Sequence, residues 1–101
     1  MILNSIVVLS LHSPKEKFWG ELLALSPAGI TIRGVDLHHF EELLRLAAKG
    51  EAGSGSLSTV FYPAHRVERM AMDEGVPEAP SLAERFHRRM GITVQDFFRA
   101  E

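Results

Sequence analysis

The segment Tyr62–Arg69 carries the residue types best suited to binding an anionic ligand. The guanidinium of either of its arginines can hold a phosphate or a carboxylate through two parallel hydrogen bonds, and its tyrosine or histidine ring can stack on a base. Because Pro63 has a fixed φ and no N–H, it interrupts strand pairing and places a bend near Ala64. The sequence therefore predicts a ligand-binding site made of Tyr62, His65, Arg66 and Arg69.

The same charges have an ordinary structural alternative. Exposed charges on neighbouring strands commonly form weak ion pairs, so Arg66 could instead be the partner of an acid. The nearby acids are Glu68, Asp73 and Glu74. Both roles stay open at this point.

A second cluster offers side chains that can ligate a metal. It consists of His38 and His39 with Asp36, Glu41 and Glu42. On an α-helix, His38 and Glu42 lie four residues apart and share one face, which is a spacing that can hold a divalent ion. However, the apolar residues of this segment recur at three- and four-residue intervals, so the polar side chains are expected to form the solvated face of an amphipathic helix. We predict no metal site and no cofactor.

Composition excludes several function classes. The chain has no cysteine, so thiolate chemistry is absent, and it shows no Ser-His-Asp arrangement, phosphate loop or nucleotide fingerprint. The net charge is −2, with 11 Lys and Arg against 13 Asp and Glu, so any anion-binding surface must be local. One such basic stretch is Arg85, His87, Arg88 and Arg89. We predict a protein that is not an enzyme.

The elements that must position these residues follow from the apolar periodicity. Strands are predicted at 2–11, 18–25 and 30–34, where apolar residues are continuous or alternate. From Asp36, a potential helix cap, the apolar period becomes about 3.6, and Gly50 ends the pattern. We therefore place an inserted helix at about 37–49.

The second half begins with a Gly- and Ser-rich loop at 51–56, which is flexible by composition. Two short strands are predicted at 57–62 and 65–72, followed by an irregular connector at 73–80. Ser81 and Glu84 form a capping box that opens a helix ending at Gly91, and Thr93 with Asp96 repeats the device. The helical tail thus covers about 82–100.

These elements predict one α+β domain over residues 1–101. Its segments are a three-stranded meander at 1–35, the inserted helix and loop at 36–56, the last two strands at 57–72, and the connector and tail at 73–101. The expected architecture is a small, strongly bent five-stranded antiparallel sheet or a small barrel. No apolar run approaches the roughly 20 residues of a membrane helix, so we expect a cytoplasmic protein without a membrane partner.

Two stretches resemble the Sm-like fold, the small barrel of Sm proteins and Hfq-type RNA chaperones. Trp19-Gly20-Glu21-Leu22 is similar to the family's Gly-x-apolar step in its second strand, and Ser58–Met70 matches its final pair of short strands around a tight bend. The resemblance covers residues 5–35 and 57–72. It implies an Sm-like barrel that pairs its edges between subunits in a ring and binds RNA.

Two functions remain open from the sequence, and a metal-dependent enzyme that uses His38 and His39 is a third, less favoured alternative. The first is a non-catalytic Sm-like module that binds RNA or another anionic ligand as a homo-oligomer. The alternative is a protein-interaction or regulatory subunit, in which the helices bind a partner chain and nucleic acid has no role.

Overall fold

A computed structural model describes residues 2–50 and 57–99 of the chain, so the predicted loop at 51–56 lies outside the described residues. The elements confirm the α+β class. They are β1 (Ile6–Leu11), β2 (Glu16–Ser26), β3 (Gly29–Asp36), α1 (Phe40–Ala48), β4 (Ser58–Pro63), β5 (Val67–Met72), α2 (Leu82–Met90) and α3 (Val94–Arg99). Short 3-10 turns precede α1 at Leu37–His39 and β5 at Ala64–Arg66. None of the helices in the described ranges is long and apolar enough to cross a membrane.

Within the described residues, five strands form one antiparallel sheet in the order β4-β3-β2-β1-β5. The edge strands β4 and β5 are not hydrogen-bonded to each other in this part of the chain, so the sheet is not closed. The predicted five-stranded antiparallel sheet is therefore confirmed at the level of strand number and direction.

Several element boundaries differ from the sequence prediction. The first strand begins at Ile6 and not at Ile2, because Asn4 has a φ of 71° and its N–H turns to the carbonyl of Leu22. A residue in the left-handed region cannot continue an extended strand. The last strand begins at Val67 and not at His65, because the residues after Pro63 form a 3-10 turn.

The two faces of the sheet are buried in different ways. One face, which we call the helix face, packs under α1, α2 and α3 and centres on Trp19, whose ring meets Phe40 and Phe98 edge-on. The other face, the inner face, carries a cluster to which no helix contributes among the described residues. Both edge strands add side chains to that cluster, Val60 and Tyr62 from β4 and Val67 and Met70 from β5. The sheet therefore curves around its own inner face.

A glycine pair permits this curvature. Gly20 of β2 faces Gly34 of β3, and a Cβ on either one would collide with the backbone carbonyl of the other strand. The register of these two strands also shifts between Leu22 and Ala24, which is the mark of a bulge that bends a strand. Gly20 belongs to the Gly-x-apolar step that the sequence shows, whereas no sequence pattern pointed to Gly34.

Hydrogen bonds fix the amino end of the helical tail, in addition to its packing on the helix face. The predicted capping box is present: the Ser81 hydroxyl accepts from the Glu84 N–H at 3.0 Å, and the Glu84 carboxylate accepts from the Ser81 N–H at 2.9 Å. Asp73, just after β5, accepts from the N–H groups of Leu82 and Ala83 and from the indole of Trp19. The connector thus ties α2 to the sheet.

Candidate functional site

A groove opens where the start of β2 lies beside the end of β3. Phe18 and Asp36 are paired in the register of these strands, which brings the β1–β2 turn next to the 3-10 turn that leads into α1. The resulting cavity has a volume of about 500 Å³. We call it the β2–β3 groove; its lining residues are Lys15, Glu16, Lys17, Asp36, Leu37, His38 and His39.

The β2–β3 groove continues under the inner face of the sheet. A second cavity of about 300 Å³ shares Asp36 and His39 with it and reaches Phe18, Val60 and Tyr62. A concave, mostly apolar site with a few polar groups is the usual form of a ligand pocket. The open end of a curved sheet therefore supplies both an apolar floor and a charged rim.

Tyr62 is the aromatic group of this floor. Its ring is half-buried, lies edge-on to Phe18 with 5.7 Å between centroids, and has the guanidinium of Arg66 5.7 Å from its centre. Burial raises the pKa of the Tyr62 hydroxyl, the Glu16 and Asp36 carboxylates raise it further, and Arg66 lowers it. The hydroxyl makes no hydrogen bond to the described parts of the chain, so it is available to a ligand.

Arg66 is held by the β1–β2 turn. Its Nε donates to the carbonyl of His12 at 2.9 Å, and its Nη2 donates to the carbonyl of Pro14 at 3.0 Å and to Glu16 Oε2 at 3.3 Å. The acid that it meets is therefore Glu16, and not one of the three acids considered from the sequence. A ligand that approaches Arg66 would share it with these acceptors.

The other two predicted site residues lie apart from this contact. His65 is exposed on the 3-10 turn, and Arg69 is exposed on β5 opposite Ser10. Since side chains alternate along a strand, Arg69 points to the face opposite that of Met70, which packs on the inner cluster. The structure thus brings Tyr62 and Arg66 together and leaves His65 and Arg69 outside the groove.

The histidine pair stands at the rim of the groove. His38 and His39 lie in the 3-10 turn before α1, so His38 does not share an α-helical face with Glu42. Asp36 Oδ1 accepts from the His38 N–H at 2.8 Å, while Glu41 pairs with Arg85 and Glu42 with Arg45. No group of three His, Asp or Glu residues in the described ranges could hold a metal ion.

Sequence reasoning missed the lysines of the rim. Lys15 and Lys17 are not among the predicted site residues, yet both line the groove and both are exposed. The available signal was the close spacing of the two lysines, since clustered basic residues are typical of a local anion-binding surface. Arg66 pairs with Glu16, so the two ammonium groups face one further carboxylate of the lining, that of Asp36.

Comparison with protein-family models, with curated proteins and with solved structures finds no match. The case for a function therefore rests on the geometry of the groove.

Proposed function

We propose that this protein is a non-catalytic, Sm-like binding module that takes RNA or another anionic ligand in the β2–β3 groove. The observation that carries the proposal is the placement of Lys15 and Lys17 on the rim of a groove whose inner extension contains the half-buried Tyr62. The short strands β4 and β5 around a tight turn support the Sm-like architecture.

Each part of the groove has a distinct role in this proposal. The lysine ammonium groups neutralise phosphate charge, which supplies most of the affinity for a nucleic acid. The Tyr62 ring offers a face to a base, and such stacking contributes about 1–3 kcal/mol. Arg66 orients Tyr62 from its bonds to the β1–β2 turn, whereas His65 and Arg69 lie outside the groove and have no part in this binding mode.

The proposal includes self-assembly. In the described part of the chain both sheet edges are uncovered, and an uncovered edge presents unpaired N–H and C=O groups to another chain. Phe61 on β4 is 52% exposed. We propose that these edges pair between copies, so that several grooves act on one ligand.

A titration of labelled single-stranded RNA at two salt concentrations tests the binding site. The affinity of the native protein should fall as salt rises, because phosphate contacts release counterions. Replacing both Lys15 and Lys17 by alanine should weaken binding by at least about tenfold, or about 1.4 kcal/mol, and should flatten the salt dependence.

The matched control is Arg45→Ala, which removes an exposed arginine of α1 that pairs with Glu42 and does not line the groove. It should leave the affinity unchanged. Equal losses in the control and in the lysine variant would contradict a site in the groove.

A protein-interaction subunit is the second candidate, and the exposed apolar residues on the outer strands favour it. Phe61 on β4 and Met72 on β5 are 52% and 42% exposed. If the protein does not bind RNA, and if Phe61→Glu abolishes its association, the protein-interaction subunit replaces the first proposal.

A further inference from the structure

A basic cleft lies between α1 and α2 and shares no lining residue with the β2–β3 groove. Its volume is about 300 Å³, and its lining residues are Glu41, Leu44, Arg85, Arg88 and Arg89. Arg88 and Arg89 follow Arg85 by three and four residues, a spacing that places all three guanidinium groups on one side of α2. Three arginines against one glutamate leave this lining with a charge of +2, although the whole chain carries −2.

One of the three arginines is already engaged by an acid of the protein. Arg85 pairs with Glu41 of α1, and its guanidinium lies 5.1 Å from the centre of the Phe40 ring. One carboxylate of the protein thus already lies against a guanidinium of the cleft. Because 69% of the Glu41 side chain is exposed, this pair is open to competition from an anion in solution.

The other two arginines have no such partner. Arg88 and Arg89 are exposed and form no ion pair within residues 2–50 and 57–99. The acid on their own helix is Glu84, whose carboxylate accepts the Ser81 N–H in the capping box and whose pKa the charge of Arg88 lowers without a direct ion pair. Arg88 and Arg89 lie in the last turn of α2, where a positive charge interacts favourably with the helix dipole. That interaction does not require them to share a face with Arg85.

We propose that the cleft between α1 and α2 is a phosphate-binding site, in which Glu41 is an internal competitor. A phosphate has three terminal oxygens and can bridge two planar guanidinium groups, whereas a single carboxylate satisfies only one of them. The phosphate would therefore bind Arg88 and Arg89. It would also contact Arg85, either together with Glu41 or in place of it. The inference does not rest on the β2–β3 groove, since none of these residues lines it.

Calorimetric titration with inorganic pyrophosphate tests this site. Arg89→Ala should weaken binding by about tenfold, as expected when a charge-assisted hydrogen bond is lost. Glu41→Gln should strengthen binding severalfold, because it frees Arg85 from its carboxylate. An affinity that rises in one variant and falls in the other cannot be explained by unfolding alone. Thermal melts check that each variant is folded.

The control is Arg45→Ala, which removes an arginine from α1 outside the cleft and should have no effect. A short RNA as a second probe identifies the source of the phosphate: RNA binding that responds to Glu41→Gln assigns the cleft to a nucleic acid backbone, and a response with pyrophosphate alone assigns it to a small phosphate compound. The proposal would be overturned if pyrophosphate does not bind or if Arg89→Ala leaves its affinity unchanged. It would also be overturned if a glutamate tripeptide binds with the same affinity.

Discussion

At the scale of the residue, Arg66 connects parts of the chain that lie far apart in the sequence. It bonds with its side chain to two carbonyls of the β1–β2 turn, and its own carbonyl accepts the N–H of His12 at 3.0 Å. Only 21% of its side chain is exposed, so solvent cannot readily replace these bonds. Arg66 therefore supports Tyr62 and the turn that carries Lys15.

We expect Arg66→Ala to lower the free energy of unfolding by about 1–3 kcal/mol, because charge-assisted hydrogen bonds to two carbonyls are lost. The melting temperature should fall by several degrees, since about 1 kcal/mol corresponds to roughly 4–8 °C in a domain of this size. Arg69→Ala, an exposed arginine on β5, should change stability by no more than about 0.5 kcal/mol. Weaker RNA binding by Arg66→Ala at unchanged stability would show instead that Arg66 acts mainly on the ligand.

At the scale of the element, α2 is fixed at its amino end by two acids with different partners. Glu84 closes the capping box with Ser81, while Asp73 bonds to the next two N–H groups and to Trp19. Together they satisfy helix N–H groups that have no partner within the helix. The basic cleft depends on this anchoring, because α2 carries its three arginines.

The capping box makes the stability of α2 depend on pH. The Ser81 backbone N–H holds the pKa of Glu84 below its ordinary value of 4.5, with smaller contributions from the Ser81 side chain and Arg88. A lowered carboxyl pKa stabilises the fold above the ordinary value, and this contribution disappears as pH falls through the folded-state pKa. The difference in unfolding free energy between the native protein and Glu84→Gln should therefore shrink from neutral pH to about pH 3 in denaturant titrations. A difference that stays constant with pH would contradict this role.

At the scale of the whole molecule, the curved sheet buries one face under helices and the other against itself. Val7, Leu9, Leu11, Leu22 and Ile32 of the inner cluster are 0% exposed. The edges β4 and β5 approach the same cluster but remain unpaired in the described part of the chain. Such edges favour association between copies.

Light scattering over a range of concentrations tests this association. We expect the native protein to form oligomers and Phe61→Glu to shift them towards the monomer, because a charge on β4 opposes edge pairing. Ile92→Glu is the matched control: Ile92 is 43% exposed in the turn between α2 and α3, belongs to neither edge strand, and this variant should still associate. A native protein that is monomeric at high micromolar concentration would refute the assembly.

Local signals determined much of the fold from the sequence alone. The alternating apolar residues predicted strands that are present, and the Ser81 capping box and Gly91 set the ends of α2 as expected. Gly91 has a φ of 77°, which glycine adopts at little cost. Such signals can be recognised in the sequence because each depends on neighbours within about four residues.

Only the tertiary structure decided which residues meet. Arg66 and Glu16 are 50 residues apart, and Trp19 and Asp73 are 54 apart, so no local spacing could pair them. Their contacts follow from strand register, where a shift of one residue would turn every side chain to the other face. The Gly20–Gly34 pair and the curvature that it permits bring Lys17, Asp36 and Tyr62 around one groove. The site is thus a consequence of long-range packing, which the pattern of one segment does not contain.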